Sequence, residues 1–149
     1  MLKIVELISS ILFVIGSLCF YFNNTVINYA GLILYIISCT LWNIILIKVK
    51  RLFSLIWINL FLSANVFFFF VTLNLIAISL YIIASLGLTL DNLYFFIKSK
   101  DKLTLIYIFG SFLFLIGSIF YIFFVNIGIT FFLIGSIFYL YISILRFLI

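Results

Sequence analysis

The amino-acid sequence predicts an all-α integral membrane protein built from six transmembrane helices. Of its 149 residues, 69% are hydrophobic and only 7% are charged, whereas roughly a quarter of the residues in ordinary soluble domains are charged. Polar side chains are therefore too few to cover a folded surface in water, and the surrounding medium is expected to be lipid. The whole chain, residues 1–149, is expected to form one membrane domain.

The positions of the basic residues set the number of spans. The eight Lys and Arg residues occupy four places, namely Lys3, then Lys48, Lys50 and Arg51, then Lys98, Lys100 and Lys102, and finally Arg146. Between them lie three apolar tracts without a basic residue, 4–47, 52–97 and 103–145. As a single helix each tract would reach roughly 65 Å, about twice the hydrocarbon thickness of a bilayer. Each tract is therefore expected to hold two helices.

The boundaries of the spans follow from small polar residues near the middle of each tract. Asparagine recurs there together with threonine and glycine, at Asn23, Asn24, Thr25 and Asn28, at Thr72 and Asn74, and at Asn126 and Gly128. Residues of this kind favour turns. The predicted spans are 4–22, 28–47, 52–72, 75–97, 103–124 and 127–147.

The distribution of charge predicts the orientation of these helices. Two spans per tract return the chain to the side from which it started, so all basic residues share one face. By the positive-inside rule that face, with both termini, is expected to be cytoplasmic, in the inner membrane of a cell. We expect the N-terminal apolar segment to be a retained helix rather than a cleaved signal, because no small-x-small cleavage site follows it.

Small residues recur at matching positions and predict three tandem helical hairpins of the same orientation, 4–50, 52–100 and 103–149. A small residue every seven positions lets neighbouring helix backbones approach closely. We interpret this pattern as helix packing in preference to a substrate path. The predicted packing residues are Gly16, Ser17, Gly31, Ser38, Ala77, Ala84, Gly110, Gly117, Ser118, Gly128, Gly135 and Ser136.

One short motif occurs three times. It reads FVIGS at 13–17 and FLIGS at both 114–118 and 132–136. With these elements the sequence resembles the YrhK-like domain family of small bacterial membrane proteins, whose hairpin carries an F-x-x-G-S element in each helix. The resemblance is best in 103–149 and recognisable in 4–50, whereas the middle hairpin departs from the pattern. It implies a bacterial inner-membrane location and no particular chemistry.

Groups able to perform chemistry are scarce. The chain has no His, and its three carboxylates are Glu6, Asp91 and Asp101. A hydrolytic site needs a nucleophile with a base, and a metal site needs clustered ligands. Cys19 and Cys39 lie in apolar runs and are expected to pack as small hydrophobes. We therefore expect no enzyme activity, no metal and no cofactor.

Of the three acids, Asp91 is expected to cost the most free energy to place in a membrane, because it lies about two turns inside the fourth span. It is followed by Asn92. Intramembrane carboxylates often mark an ion or proton path. The alternative is an interfacial acid tied to Lys98 on the same helix face. Glu6 is expected to reach water or Lys3, and Asp101 is expected to be a solvated partner of the neighbouring lysines.

Other polar and aromatic residues have simpler interpretations. Asn43, Asn59 and Asn65 are expected to form hydrogen bonds between helices. Trp42 and Trp57 flank a basic cluster and are expected to belong to an aromatic belt at the membrane interface. The basic residues at 48–51 and 98–102 are expected to favour anionic lipid headgroups.

Two functional hypotheses follow. The first is a non-enzymatic interaction or assembly module, a bundle that associates with itself or with a larger membrane protein, because small-residue stripes are abundant and chemical groups are few. The second is a small channel or transporter with Asp91 on the ion or proton path. Membrane lipids are expected partners in both cases, and nucleic acid is not, since the positive charge lies at the membrane surface.

Overall fold

The computed structural model describes residues 2–22 and 24–149. Its described part is all-helical, with six α-helices, which are α1 Leu2–Cys19, α2 Thr25–Lys48, α3 Leu52–Phe67, α4 Asn74–Ser99, α5 Lys102–Phe123 and α6 Val125–Leu148. Five of them are long and apolar enough to cross a membrane. The predicted all-α class is confirmed at this level. Asn23, predicted to lie in the first turn, falls outside the described residues.

The third helix differs from the prediction. The expected span 52–72 ends as an α-helix at Phe67, after 16 residues, and is followed by a 3₁₀ turn at Val71–Leu73. Sixteen residues reach about 24 Å, less than the roughly 30 Å of a hydrocarbon core. Beyond the helix, the Phe68 ring packs 5.5 Å from the Tyr81 ring and 6.0 Å from the Tyr121 ring. These contacts draw the chain inward and explain the early end of α3.

The helix ends are fixed by local hydrogen bonds. The Asn24 side chain accepts hydrogen bonds from the backbone N–H groups of Val26 and Ile27, which begins α2. Asp101 does the same for α5 by accepting from Leu103 N–H. Such N-caps satisfy donors that a helix start leaves free. At the other ends of α2 and α4 the chain turns through left-handed residues, Lys50 with φ 58° and Lys100 with φ 55°.

The six helices form a closed ring. Each helix packs against the next one in sequence, and α6 packs against α1. Neighbours are antiparallel. Along the seam between α1 and α6, for example, Ser10 hydrogen-bonds Ser143 at 2.7 Å, and Tyr21 hydrogen-bonds Thr130 at 2.7 Å.

This alternation gives the ring two distinct ends. The loops 49–51 and 100–101 lie at the same end as Leu2 and Ile149, and all eight basic residues are found there. We call it the basic end. The turns around 20–24, 68–73 and 124 lie at the opposite end, which we call the far end.

Aromatic side chains fill the centre of the ring. The Phe114 ring lies 5.9 Å from the Phe13 ring and 5.8 Å from the Phe61 ring. Each of these three contacts an aromatic ring on the following helix. The six residues, which we call the aromatic layer, are Phe13, Tyr35, Phe61, Tyr81, Phe114 and Phe132, and all are buried.

The small residues singled out in the sequence all lie buried between helices of this one chain. Ser9 and Ser38 each donate to the backbone carbonyl of the other, at 2.9 and 2.8 Å, across α1 and α2. The Ser17 hydroxyl lies 2.5 Å from the Tyr35 hydroxyl and 2.8 Å from Ser136 Oγ, and so joins three helices. Small side chains thus bring the helices close and supply hydrogen bonds between them.

Candidate functional site

Several charged and polar side chains converge on a cavity at the basic end. This basic-end cavity has a volume of about 130 Å³. Its charged and hydrogen-bonding lining consists of Lys3, Glu6, Arg51, Ser54, Asn92, Tyr107 and Arg146, and its apolar and aromatic lining includes Trp42, Ile45, Ile58, Leu88 and Tyr139. Side chains from all six helices or their ends meet here, which makes the cavity the candidate site.

Asp91 is held by the start of α3. The Arg51 Nη2 atom lies 2.7 Å from Asp91 Oδ2 and donates to Asn92 Oδ1 at 3.1 Å. The Ser54 hydroxyl also donates to Asp91. Asp91 therefore pairs with Arg51, and its predicted pairing with Lys98 is wrong. The cause is the antiparallel packing of α3 on α4, which sets the first turn of α3 beside the acid.

Glu6 is the second acid in this region, and it is 6% exposed. It accepts a hydrogen bond from the Tyr107 hydroxyl, and Arg146 Nη1 lies 3.4 Å from its Oε1 atom. The expected contact with Lys3 or water is therefore replaced by partners on α5 and α6. The Arg146 guanidinium also lies 4.9 Å above the centre of the Tyr107 ring, a favourable cation–π arrangement.

Asp101 lies just outside this cluster. It was expected to pair with the neighbouring lysines, but it caps α5 and accepts from the Thr104 hydroxyl at 3.0 Å. Its nearest cation is Arg146, at 3.9 Å. The lysines at 48, 50, 98, 100 and 102 are exposed around the rim of the basic end.

The two tryptophans lie in different environments. Trp42, expected in an interfacial belt, is 7% exposed and packs its ring 5.9 Å from Tyr139 and 6.1 Å from Tyr107. Its indole N–H is buried without a hydrogen-bond partner among residues 2–22 and 24–149. Trp57 is half-buried and lies over Gly87, where an added Cβ would clash with the indole ring. The belt prediction is thus wrong for Trp42.

The asparagines within the helices form the hydrogen bonds between helices that the sequence predicts. Asn43 donates to Asn59 at 3.0 Å between α2 and α3. Asn65 accepts from the Tyr81 hydroxyl and donates to the Phe61 carbonyl at 2.8 Å. The predicted hydrogen bonds between helices are therefore present, and they leave these amides outside the candidate site.

A second cavity, of about 220 Å³, lies at the far end. Its lining combines asparagines with aromatic rings, including Asn28, Asn74, Tyr35, Tyr81, Tyr121 and Phe132. Between the two cavities lies a void of only about 20 Å³, lined by Phe13, Phe61 and Phe114 together with Trp42 and Tyr139. Rings of the aromatic layer therefore lie between the two cavities.

Potential metal ligands and reactive thiols are few in the described residues. Within the described part of the chain, no set of three or more His, Cys, Asp or Glu residues is placed to hold a metal ion. Cys19 and Cys39 are free thiols, and Cys39 is fully buried. The basic-end cavity offers charged groups and hydrogen-bond donors.

These features define a class, that of an all-helical bundle suited to a membrane, with a charged cavity at one end of its axis. Comparisons with family models, with curated proteins and with solved structures find no match to this chain. The resemblance to YrhK-like domains stays a prediction that rests on its motif residues.

Proposed function

We propose that this chain is a multi-pass membrane protein that passes a small polar solute along the axis of its helix ring. The observation that carries the proposal is the pair of cavities at opposite ends, separated by the aromatic layer. In channels and transporters, hydrophobic constrictions between water-filled cavities act as gates. On this proposal, the aromatic layer closes the path in the present conformation.

The orientation that we propose follows the charges. The basic end lies at the cytoplasmic face of a bacterial inner membrane, so that both chain ends are inside. The chain consists of three tandem hairpins around a pseudo-threefold axis. Phe13, Phe61 and Phe114 hold equivalent positions in these hairpins, and their meeting at the centre supports the arrangement.

The path hypothesis is preferred to the assembly hypothesis because of where the small residues lie. Their abundance suggested association with other proteins, but Gly16, Gly31, Gly117 and Gly128 are buried in contacts between helices of the same chain. Asp91 itself does not line the basic-end cavity. It holds Arg51 in place, and Arg51 lines the cavity.

The flux of small ions across the membrane of liposomes that contain the protein tests the proposal. Phe114→Ala removes the ring that contacts both Phe13 and Phe61. If it lowers the barrier by about 1.4 kcal/mol, the leak of small ions rises about tenfold. Phe112→Ala is the matched control, because Phe112 lies on the same helix and is 46% exposed on the outer surface. Equal background flux in the folded wild type and in both folded variants would contradict the axial path.

The assembly hypothesis has its own test. The tagged protein is extracted from native membranes in mild detergent, and the mass and components of the intact complex are determined. The axial path within one chain predicts that a folded monomer retains flux after reconstitution at high dilution. A fixed homo-oligomer or stoichiometric partner, with flux absent from the isolated monomer, would favour the assembly hypothesis instead.

A further inference from the structure

We infer that a groove on the outer surface, between α3 and α4, binds a membrane-dissolved phenol that carries an alkyl tail. The phenol hydroxyl donates to Asp91, its ring packs on the aromatic lining, and its tail follows the aliphatic part of the groove. The groove shares no lining residue with the basic-end cavity or the far-end cavity. The inference therefore goes beyond the proposed function and does not depend on it.

The groove is open toward the side of the bundle that faces lipid. Its volume is about 530 Å³, and Phe53 and Tyr94 on its lining are 70% and 66% exposed. Asp91 is its single charged lining residue. Exposed apolar side chains on a bundle suited to a membrane face acyl chains, so a ligand of this groove enters from the bilayer and has to dissolve in it.

The lining changes in character along the groove. Trp57, Asp91 and Tyr94 belong to the part nearer the basic end, whereas Leu86 and Ile83 lie deeper along α4. From Ile83 to Tyr94 the helix rises about 16 Å. Aromatic rings pack well on other aromatic rings. The groove therefore matches a molecule with an aromatic polar head and an aliphatic tail.

Asp91 supplies a hydrogen-bond acceptor whose charge is already balanced. Its Oδ2 atom accepts from Arg51 and Ser54, which line the basic-end cavity and not the groove. Its Oδ1 atom accepts no hydrogen bond from residues 2–22 and 24–149, and the side chain is 14% exposed. Because Asp91 lines the groove, Oδ1 is the oxygen left to face it.

This balance of charge selects the donor. Arg51 lies 2.7 Å from Asp91 Oδ2, so an ammonium ligand would add a charge without a counter-charge. A phenol, with a pKa of about 10 like that of tyrosine, is neutral near pH 7. It donates to a carboxylate in a charge-assisted hydrogen bond, which is stronger than one between neutral groups.

The groove is particular to the middle of the chain. The small-residue positions Ser38, Ala84 and Gly135 bring α2, α4 and α6 into register in the sequence. In that register Asp91 corresponds to Ile45 and Ile142, and Gly87 corresponds to Leu41 and Phe138. The acid is thus absent from the other two helices, and so is the glycine on which the Trp57 ring lies.

Binding of radiolabelled para-octylphenol to the full chain in phosphatidylcholine nanodiscs tests the inference, after subtraction of its partition into empty nanodiscs. We expect saturable binding, and about tenfold weaker binding of the methyl ether, which lacks the O–H donor. Leu90→Trp fills the groove from a position that is 56% exposed and is expected to weaken phenol binding about tenfold. Leu75→Trp, 76% exposed on the same helix but outside the groove, is the matched control and is expected to bind like the wild type.

Four results overturn the assignment. Absence of saturable binding by the folded wild type rejects the site, and equal affinities of the Leu90→Trp and Leu75→Trp variants place binding elsewhere. Equal affinities for the phenol and its methyl ether would mean that the groove takes any apolar chain, such as the acyl chain of a phospholipid. Tighter binding of para-octylbenzylamine, a cation at neutral pH, would mean that the charge of Asp91 is not balanced. Because binding is measured without flux, each of these results leaves the axial path intact.

Discussion

Replacing Asp91 with asparagine is expected to destabilise the folded bundle by about 3 kcal/mol. Removing one partner of a buried ion pair leaves the other charge desolvated and uncompensated, at a typical cost of about 3–5 kcal/mol. Arg51 and Asp91 are 2.7 Å apart, with 22% and 14% of their side chains exposed. Partial exposure places the expected cost at the lower end of that range.

The measurement is the midpoint of unfolding in detergent micelles, followed by helical circular dichroism. Asp101→Asn is the matched control, because it removes the same charge from a carboxylate that is 39% exposed and 3.9 Å from Arg146. Asparagine also preserves the N-cap of α5. Its expected effect is within about 1 kcal/mol.

A double variant separates the pair from other effects. Arg51→Gln combined with Asp91→Asn removes both charges, so we expect it to cost less than the sum of the two single changes. Additive costs would mean that the two side chains do not interact in the folded protein. Equal shifts for Asp91→Asn and Asp101→Asn would lead to the same conclusion.

The partner of Asp91 was not predictable from the periodicity of its own helix. From helical periodicity, Lys98 was the cation on the same face of the same helix. Arg51 is 40 residues away along the chain and meets Asp91 only because α3 packs on α4. Periodicity within one helix is readable from sequence, whereas the register between two helices depends on the whole bundle. The contact of Glu6 with Tyr107 and Arg146 likewise depends on the packing of α1 with α5 and α6.

The burial of Trp42 was readable in principle. On α2 the buried residues include Gly31, Tyr35, Ser38 and Trp42, spaced three or four positions apart as on a single helix face. The small-residue stripe recognised in the sequence therefore already marked the side on which Trp42 lies. Proximity to the basic cluster at 48–51 pointed to the interface instead, and the helix face proved the better guide.

The early end of α3 carried no comparable local signal. Residues 67–70 are four phenylalanines, without the glycine or proline that commonly ends a helix. The contacts of Phe68 with Tyr81 and Tyr121 are tertiary. Six helices and their approximate limits were thus predictable from charge and length, but this boundary required knowledge of the packed interior.

Replacing Gly128 with alanine is expected to destabilise the protein by about 2 kcal/mol. An added Cβ would lie 2.7 Å from the Tyr121 Cα atom and 2.8 Å from the Gly117 carbonyl oxygen. Both are backbone atoms, so relief requires α5 and α6 to move apart. Overpacking of this kind typically costs about 1–3 kcal/mol.

Gly135→Ala provides a graded comparison on the same helix. There the nearest atoms to an added Cβ are the Gly110 carbonyl oxygen at 3.0 Å and the Phe114 ring at 3.3 Å, so a small shift relieves the crowding. Alanine also gains up to about 1 kcal/mol in helix propensity over glycine. The two effects nearly cancel at Gly135, and we expect a change within about 1 kcal/mol.

Thermal unfolding in detergent tests this order, with Ile134→Ala as the control for an exposed position on α6. We expect Gly128→Ala to unfold at a lower temperature than Gly135→Ala. If it were as stable as Gly135→Ala, the α5 and α6 backbones would not be in contact at Gly117 and Gly128. The hydrogen-bonded ring would then have room to widen at the far end, and the small-residue stripe would need an explanation other than close helix packing.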